Sequence, residues 1–423
     1  MVSLWRNSDF LKLWTGQTVS ELGSRITRDG LPWAAVLVLG ATPSEMGILS
    51  SLGSASVLAF GLVAGVWADR MPKRPTLIAT DLARAALLAT IPLAAVWQRL
   101  AMPQLYLVAA AAGVLTVFFD VAYQSYLPFL VQPGELVEAN TKLMFSSTGS
   151  EIVGPGAAGI LVQWITAPLA IMVDAASFLF SAFTLFLIRE PGSAAPQIAA
   201  SEPRQIWRDS LAGLHFVWGD PILRALGLRA MVAYLSGGFI MPLFTLYAIQ
   251  SLHLAPAALG LTIAIGGASG MLGAMLSSRI VGRFGLGPAF IGAAVCQGVS
   301  MCLIPGAHGS PAVAIAFLAG AQLLGDSATA VYIINENSLR QRVTPPEMLG
   351  RVNAAMQLAT RGMLPLGALT SGFLAEAIGV RTVLAIGAAG FLLSIACLLF
   401  SPIRTLRYNE SCLLMPHTSS PST

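Results

Sequence analysis

The sequence predicts an all-α, polytopic membrane protein of twelve transmembrane helices in two related halves. Three observations predict it: an apolar composition, apolar stretches of span length along the whole chain, and a one-sided distribution of basic residues. Of 423 residues, 55% are hydrophobic and 10% charged, whereas an ordinary soluble domain carries about 25% charged residues. Stretches of about 20 apolar residues cross a hydrocarbon core of about 30 Å as helices. Helices are required because lipid cannot satisfy unpaired backbone groups.

Taken in order, breaks at glycine, proline and charge clusters start spans near Leu11, Ser44, Pro75, Pro103, Ala139, Pro168, Ile222, Ala257, Gly287, Pro311, Glu347 and Gly379. The amino-terminal MVSLWRNSDFLKLW has no short apolar core followed by a small-residue cleavage site, so the first span is expected to stay on the chain. With that terminus in the cytoplasm, eighteen of the 24 basic residues fall on cytoplasmic segments, among them Arg6, Lys12, Arg189, Arg224, Arg229, Arg283, Arg340 and Arg404. Arg99 and Arg381 fall outside, and the rest lie within spans. The positive-inside rule then puts both termini in the cytoplasm and agrees with an even number of spans.

Other classes are excluded on similar grounds. The net charge of +4 is dispersed over loops, so no patch for nucleic acid forms. Cys296, Cys302, Cys397 and Cys412 contain no CxxC pair, and neither a disulfide framework nor a zinc site follows. His215, His253, His308 and His417 are scattered without metal-ligand spacing, so no metal, cofactor or catalytic cluster is expected.

The halves carry a faint repeat. Pro43, Gly47, Gly53 and Arg70 recur as Pro256, Gly260, Gly266 and Arg283 at an interval of 213, while Pro133 and Glu135 recur as Pro345 and Glu347 at 212. The expected organisation is a first six-helix bundle over 1–188, a cytoplasmic linker over 189–221, a second bundle over 222–401 and a disordered tail over 402–423. Within the linker Ile206, Trp207, Leu211, Leu214 and Trp218 fall near helical spacing, which suits an amphipathic interfacial helix or a partly helical linker.

Charges inside the spans are the candidates for function. Span 1 carries Glu21, Arg25, Arg28 and Asp29, and at about 100° per residue all four share one face. Four isolated charges would cost on the order of 10 kcal/mol in the membrane, so they face water or one another. The Glu21 to Arg25 and Arg25 to Asp29 spacings allow pairing along the helix. Two readings stand: a neutralised strut, or the lining of a transport cavity in which Glu21 or Asp29 changes protonation. In span 10, Gln322, Asp326 and Thr329 share a side, and Asp326 has no basic neighbour within four residues, which suits either a proton site or a hydrogen bond to another helix. Glu151, four residues before Pro155, and Arg361, four before Pro365, occupy roughly related positions and are read as either a link between the halves or separately paired. Asp81 and Arg84 are three apart and expected to pair; Asp174 is expected to be structural.

The segment GVWADRMPKR, Gly65 to Arg74, ends an apolar run in Asp69, Arg70, Lys73 and Arg74. It resembles the loop between the second and third helices of the major facilitator superfamily, with Trp67 for the usual leucine and Pro72 for the usual second glycine. RIVGRFG, Arg279 to Gly285, is the equivalent second-half loop without the acid. EIVGPGAAG, Glu151 to Gly159, is similar to the superfamily's antiporter signature through Gly154, Pro155 and Gly159, with Ala158 for the first of the paired glycines. Its formal G-x-G-x-x-G match follows no strand and is no dinucleotide site. LWRNSDFLKLWTGQTVSELG, FFDVAYQSYLPFLVQPGELVEAN and MVDAASFLFSA look like bacterial drug and macrolide exporters of the superfamily.

The resemblance implies the major facilitator fold, two pseudo-symmetric six-helix bundles with substrate held between them. It also implies that Gly65, Asp69, Arg70, Lys73 and Arg74 latch the cytoplasmic ends, with Asp120 the candidate partner acid in span 4. Its expected function is proton-coupled efflux of hydrophobic or amphipathic small molecules by a monomer in the bacterial inner membrane. A siderophore or metabolite exporter, or an uptake carrier, is the alternative. Tyr123, Tyr234, Phe239 and Phe244 are candidates for an adaptable aromatic wall and equally for ordinary core.

Overall fold

The computed structural model describes residues 4–68, 71–189 and 212–405. Asp69 and Arg70, the linker residues Ile206, Trp207 and Leu211, and the tail from residue 406 lie outside the described residues.

Among the described residues are thirteen helices of 16 residues or more. They are α1 (Ser8–Leu39), α2 (Pro43–Ala68), α3 (Lys73–Val96), α4 (Met102–Leu130), α5 (Leu136–Ile165), α6 (Ala167–Phe186), α7 (Pro221–Leu246), α8 (Pro256–Phe284), α9 (Leu286–Gly306), α10 (Pro311–Val343), α11 (Pro346–Arg361), α12 (Met363–Ile378) and α13 (Val380–Leu399). Twelve of the thirteen starts lie within three residues of an expected span start; α12, at Met363, has no expected start of its own. Eight of these helices are individually long and apolar enough to cross a membrane. The eleventh span is divided, α11 and α12 following one another across Gly362.

Local sequence sets the boundaries. Asn7 caps α1, its Oδ1 accepting from the Asp9 and Phe10 amides at 3.1 Å, and Gly40 ends the helix at φ +64°, a conformation glycine adopts without steric cost. Asp220 caps α7 in the same way, with Pro221 at the first helical position. Pro256 and Pro311 open α8 and α10 where a missing N–H costs nothing.

Each half packs identically. α1 lies on α5 and α6, α3 on α4 and α6, and α2 on α4; correspondingly α7 lies on α12 and α13, α9 on α10 and α13, and α8 on α10. The 213-residue register holds at element boundaries: α2 and α8 start at Pro43 and Pro256, α5 and α12 end at Ile165 and Ile378. The 212-residue offset at Pro133 and Pro345 is therefore local. One residue is gained between Pro345 and Gly367, the stretch in which the helix breaks at Gly362; an extra residue turns a helix by about 100° and cannot be absorbed without a local irregularity.

The halves meet where α5 crosses α8 and where α2 crosses α12. A Cβ added to Gly159 would stand 2.5 Å from the Pro256 carbonyl oxygen, and one on Gly372 would stand 2.7 Å from that of Pro43. Both neighbours are backbone, so the crossings need glycine. Three hydrogen bonds join the halves among the described residues: Ser44 N to Glu376 Oε1, Ala257 N to Gln163 Oε1, and Gln250 Nε2 to Ala41 O, each 3.3 Å. All three lie at the end remote from the chain termini.

Residues 212–219 are helical; Gly213 abuts the Arg351 backbone and Val217 is buried in the second half's core. This part of the expected linker is docked on α11.

Candidate functional site

α1 presents two different faces. Gly16, Gly23 and Gly30 lie against Thr184, Ser177 and Ile171 of α6, so the helix is held by its small-residue side and its charges turn elsewhere. Arg25 faces α5. A Cβ on Gly154 would stand 2.5 Å from the Arg25 Cβ, so the glycine of the antiporter-like motif leaves the space that the arginine stem occupies. From there Arg25 Nη2 donates to Glu151 Oε1 at 2.7 Å. The pairing along α1 that the spacing allows is replaced by a bridge between helices.

Glu21 faces the Ser147 hydroxyl of α5, with Asp120 and Glu151 within electrostatic reach; its Oε2 is buried without a hydrogen-bond partner. Asp29 has Arg28 and Arg25 as its charged neighbours, and Arg28 is exposed. Pro155 and Gly159 are buried in the α5–α8 crossing, while Gly154 is buried against Arg25 of α1, and α5 continues through the proline without a break.

In the second half, Gln322 and Asp326 lie together over Gly266, whose lack of a side chain gives the carboxylate its room. No basic group is among the influences on Asp326. Its span mates are engaged: Thr329 accepts from Gln297 Nε2 at 2.6 Å, Asn335 donates to Ser277 at 2.9 Å, and Glu336 pairs with Arg340 at 2.8 Å. Arg361 is exposed at the end of α11, next to the break at Gly362, which touches Leu58 of α2. Glu151 and Arg361 do not meet, since Glu151 is paired with Arg25.

At the termini end, Arg74 donates from Nε to Leu185 O at 3.0 Å and from Nη2 to Phe186 O at 2.6 Å. It thus satisfies carbonyls at the end of α6 that the helix leaves open. Lys73 opens α3 and Gly65 lies in α2. Asp120, ten residues inside the end of α4, has Arg84 as its charged neighbour. Tyr123 stacks on Phe119 at 5.9 Å; Tyr234 is exposed, and Phe239 and Phe244 pack on the core.

One buried site is absent from the sequence reading. Arg229, counted above among cytoplasmic residues, lies inside α7 at 5% exposure. Its guanidinium stands 3.7 Å over the Tyr332 ring and donates to Gln297. The signal was available: Arg229 follows the Asp220 cap by nine residues, more than two turns into the span.

A family model described as Major Facilitator Superfamily matches residues 13–368. The chain belongs to the Major Facilitator Superfamily. It is 27% identical over 398 residues to the multidrug efflux pump Tap of Mycolicibacterium fortuitum, covering 91% of this chain and 93% of that one. It is 25% identical to macrolide efflux protein A of Streptococcus pyogenes, covering 94% and 97%. Among solved structures, a bacterial homologue of the iron transporter ferroportin in an inward-facing state superposes with a TM-score of 0.76 at 18% identity, over 94% of this chain and 98% of that one. The nucleoside transporter NupG gives 0.73 at 13% identity, over 92% and 98%. These structures show the fold. This superfamily member is a polytopic membrane transporter and not an enzyme.

Proposed function

We propose that this transporter is a monomeric exporter of the bacterial inner membrane, with cytoplasmic termini, that expels hydrophobic or amphipathic small molecules in exchange for protons. The observation that carries the reading is the charged face of α1, held away from α6 by three glycines and bridged to α5 by Arg25 and Glu151. Asp326, a carboxylate without a counter-charge, supports it from the other half. Charges so placed are retained for a pathway and not for packing, because packing alone would exclude them. The efflux pumps among its relatives favour export and a macrolide- or drug-like cargo.

The proposed cycle uses this architecture. The two six-helix bundles rock about the α5–α8 and α2–α12 crossings, and the loop carrying Asp69, Arg70, Lys73 and Arg74 latches the termini end. Asp29, Glu21 and Asp326 are the carboxylates whose proton is exchanged for cargo.

Everted membrane vesicles test this directly. A radiolabelled macrolide and a lipophilic dye should accumulate when the vesicle interior is acid and leak when the proton gradient is collapsed. Accumulation that survives collapse removes proton coupling. No accumulation of either probe removes the drug-type cargo.

A further inference from the structure

The first half holds a second charged pocket, which borders the α1 face at Glu21 and lies in the opposite half from Asp326. Arg84 of α3 is 5% exposed, and its guanidinium lies between the rings of Phe119 on α4 and Phe178 on α6, 4.3 and 4.2 Å from their centroids. Arg84 Nη2 donates to Asp81 Oδ1 at 2.5 Å, and Asp120 of α4 and Asp174 of α6 are within its electrostatic reach. Asp81 is 0% and Asp174 1% exposed; Asp120 is the exposed member. One carboxylate is bonded to the guanidinium and two more lie within its electrostatic reach. Ser177 donates to Asp174 Oδ1 at 3.0 Å, the Thr27 and Ser181 hydroxyls face Asp174 and Asp81, and Arg84 Nε is buried with no hydrogen-bond partner. Beyond Asp120, Glu21 of α1 and Tyr123 of α4 face the same space, and Arg25 beside Glu21 is held by Glu151 of α5.

Packing does not demand these charges. At the 213-residue interval, Asp81, Arg84, Asp120 and Asp174 correspond to Ala294, Gln297, Ile333 and Gly387, and the second half packs the same helix pairs without a carboxylate at any of the four. The aromatic platform is kept, Phe119 corresponding to Tyr332, and an arginine still covers it, supplied from α7 by Arg229. What the first half adds is acid. With Arg84 paired to Asp81 and Asp120 exposed, one buried carboxylate is left without a full counter-charge, and such a group neutralises by taking up a proton.

We propose that the Arg84 pocket is a protonation site of the carrier, with at least one proton shared among Asp81, Asp120 and Asp174 and released by way of Asp120 to Glu21. The carboxyl O–H bond breaks, the proton joins the Glu21 carboxylate, and the anion left behind is held by Arg84. Its part in transport rests on the proton-coupled reading above; the protonation itself does not.

The test uses the purified full chain in lipid, with H+ as the probe. Infrared difference spectra between mildly acidic and alkaline buffer read the carbonyl stretch of protonated carboxyl groups. One of Asp81→Asn, Asp120→Asn and Asp174→Asn should remove a one-carboxyl share of that band. Arg84→Gln, the residue used by the second half, should enlarge it, and Arg84→Lys should restore the parent band. Asp120→Asn, at the exposed edge, and Arg84→Lys keep the test readable where a more buried change prevents folding. The same band in every variant overturns the proposal. A variant-sensitive band in a carrier indifferent to the proton gradient removes the coupling and leaves the site. Gradient-dependent transport with an insensitive band removes the site alone.

Discussion

The Ser44 amide donates to the Glu376 carboxylate at 3.3 Å, and exactly one repeat away the Ala257 amide donates to the side-chain oxygen of Gln163 at the same distance. The two clasps join the halves at the end of the bundle remote from the termini, one at the α2–α12 crossing and one at the α5–α8 crossing. They differ in the acceptor, a titratable acid in one and a neutral amide in the other, and in the Ser44 and Thr42 hydroxyls that also face Glu376.

That difference makes the far end sensitive to pH on one side only. A charge-assisted bond to a carboxylate is about twice as strong as a neutral one, and it is lost when falling pH protonates Glu376. Hydrogen exchange at the Ser44 amide, corrected for intrinsic rate, should therefore speed up in acid relative to that at Ala257. Glu376→Gln should abolish the contrast between the two clasps.

The crossings behind the clasps should tolerate no side chain. A Cβ on Gly159 or Gly372 meets backbone oxygen of the opposite half, which cannot rotate away. Gly159→Val or Gly372→Val is expected to destabilise the closed far end by about 1–3 kcal/mol, the range for overpacking. Spin-label distances across that end should lengthen in each variant, and Gly292→Val, at a glycine with open space around it, should leave them unchanged.

The repeat itself was legible from Pro43, Gly47 and Gly53, because turn and crossing residues are chosen by backbone geometry and survive when side chains diverge. Span positions were legible for the same reason: proline starts and glycine stops are local. Partnerships were not. Arg25 has acids four residues away on both sides, yet pairs with Glu151, because Gly154 opens a space across the helix interface that no spacing within α1 reveals. Arg229 reads as a loop residue by charge, and the Tyr332 ring, the Gln297 amide and the nearby Glu336 carboxylate inside the bundle offset its burial. The latch residues Asp69 and Arg70 lie outside the described residues, and Asp120, their expected partner, has Arg84 as its charged neighbour.

The Arg25–Glu151 bridge should matter to transport and not to stability. Glu151 is half-exposed, and pairs of that kind contribute about 0.2–1 kcal/mol. Arg25→Glu or Glu151→Arg alone should cut vesicle transport about tenfold, the effect of a coupling of about 1.4 kcal/mol between ion pair and cycle, with a melting temperature close to the parent's. The double exchange should recover activity. If it does not, the pair acts through some other neighbour, such as Glu21.

Arg229 should show the opposite pattern. Gln297→Leu removes the hydrogen-bond partner of a buried guanidinium and leaves the charge in place with an unsatisfied donor, a change that costs about 1–3 kcal/mol. Arg229→Met removes the charge itself, keeps apolar contact with the Tyr332 ring, and should cost much less. Thermal unfolding of the two variants in the same detergent separates these cases. The larger loss is expected from the smaller and more distant change, because the penalty belongs to the orphaned cation and not to the bond that held it.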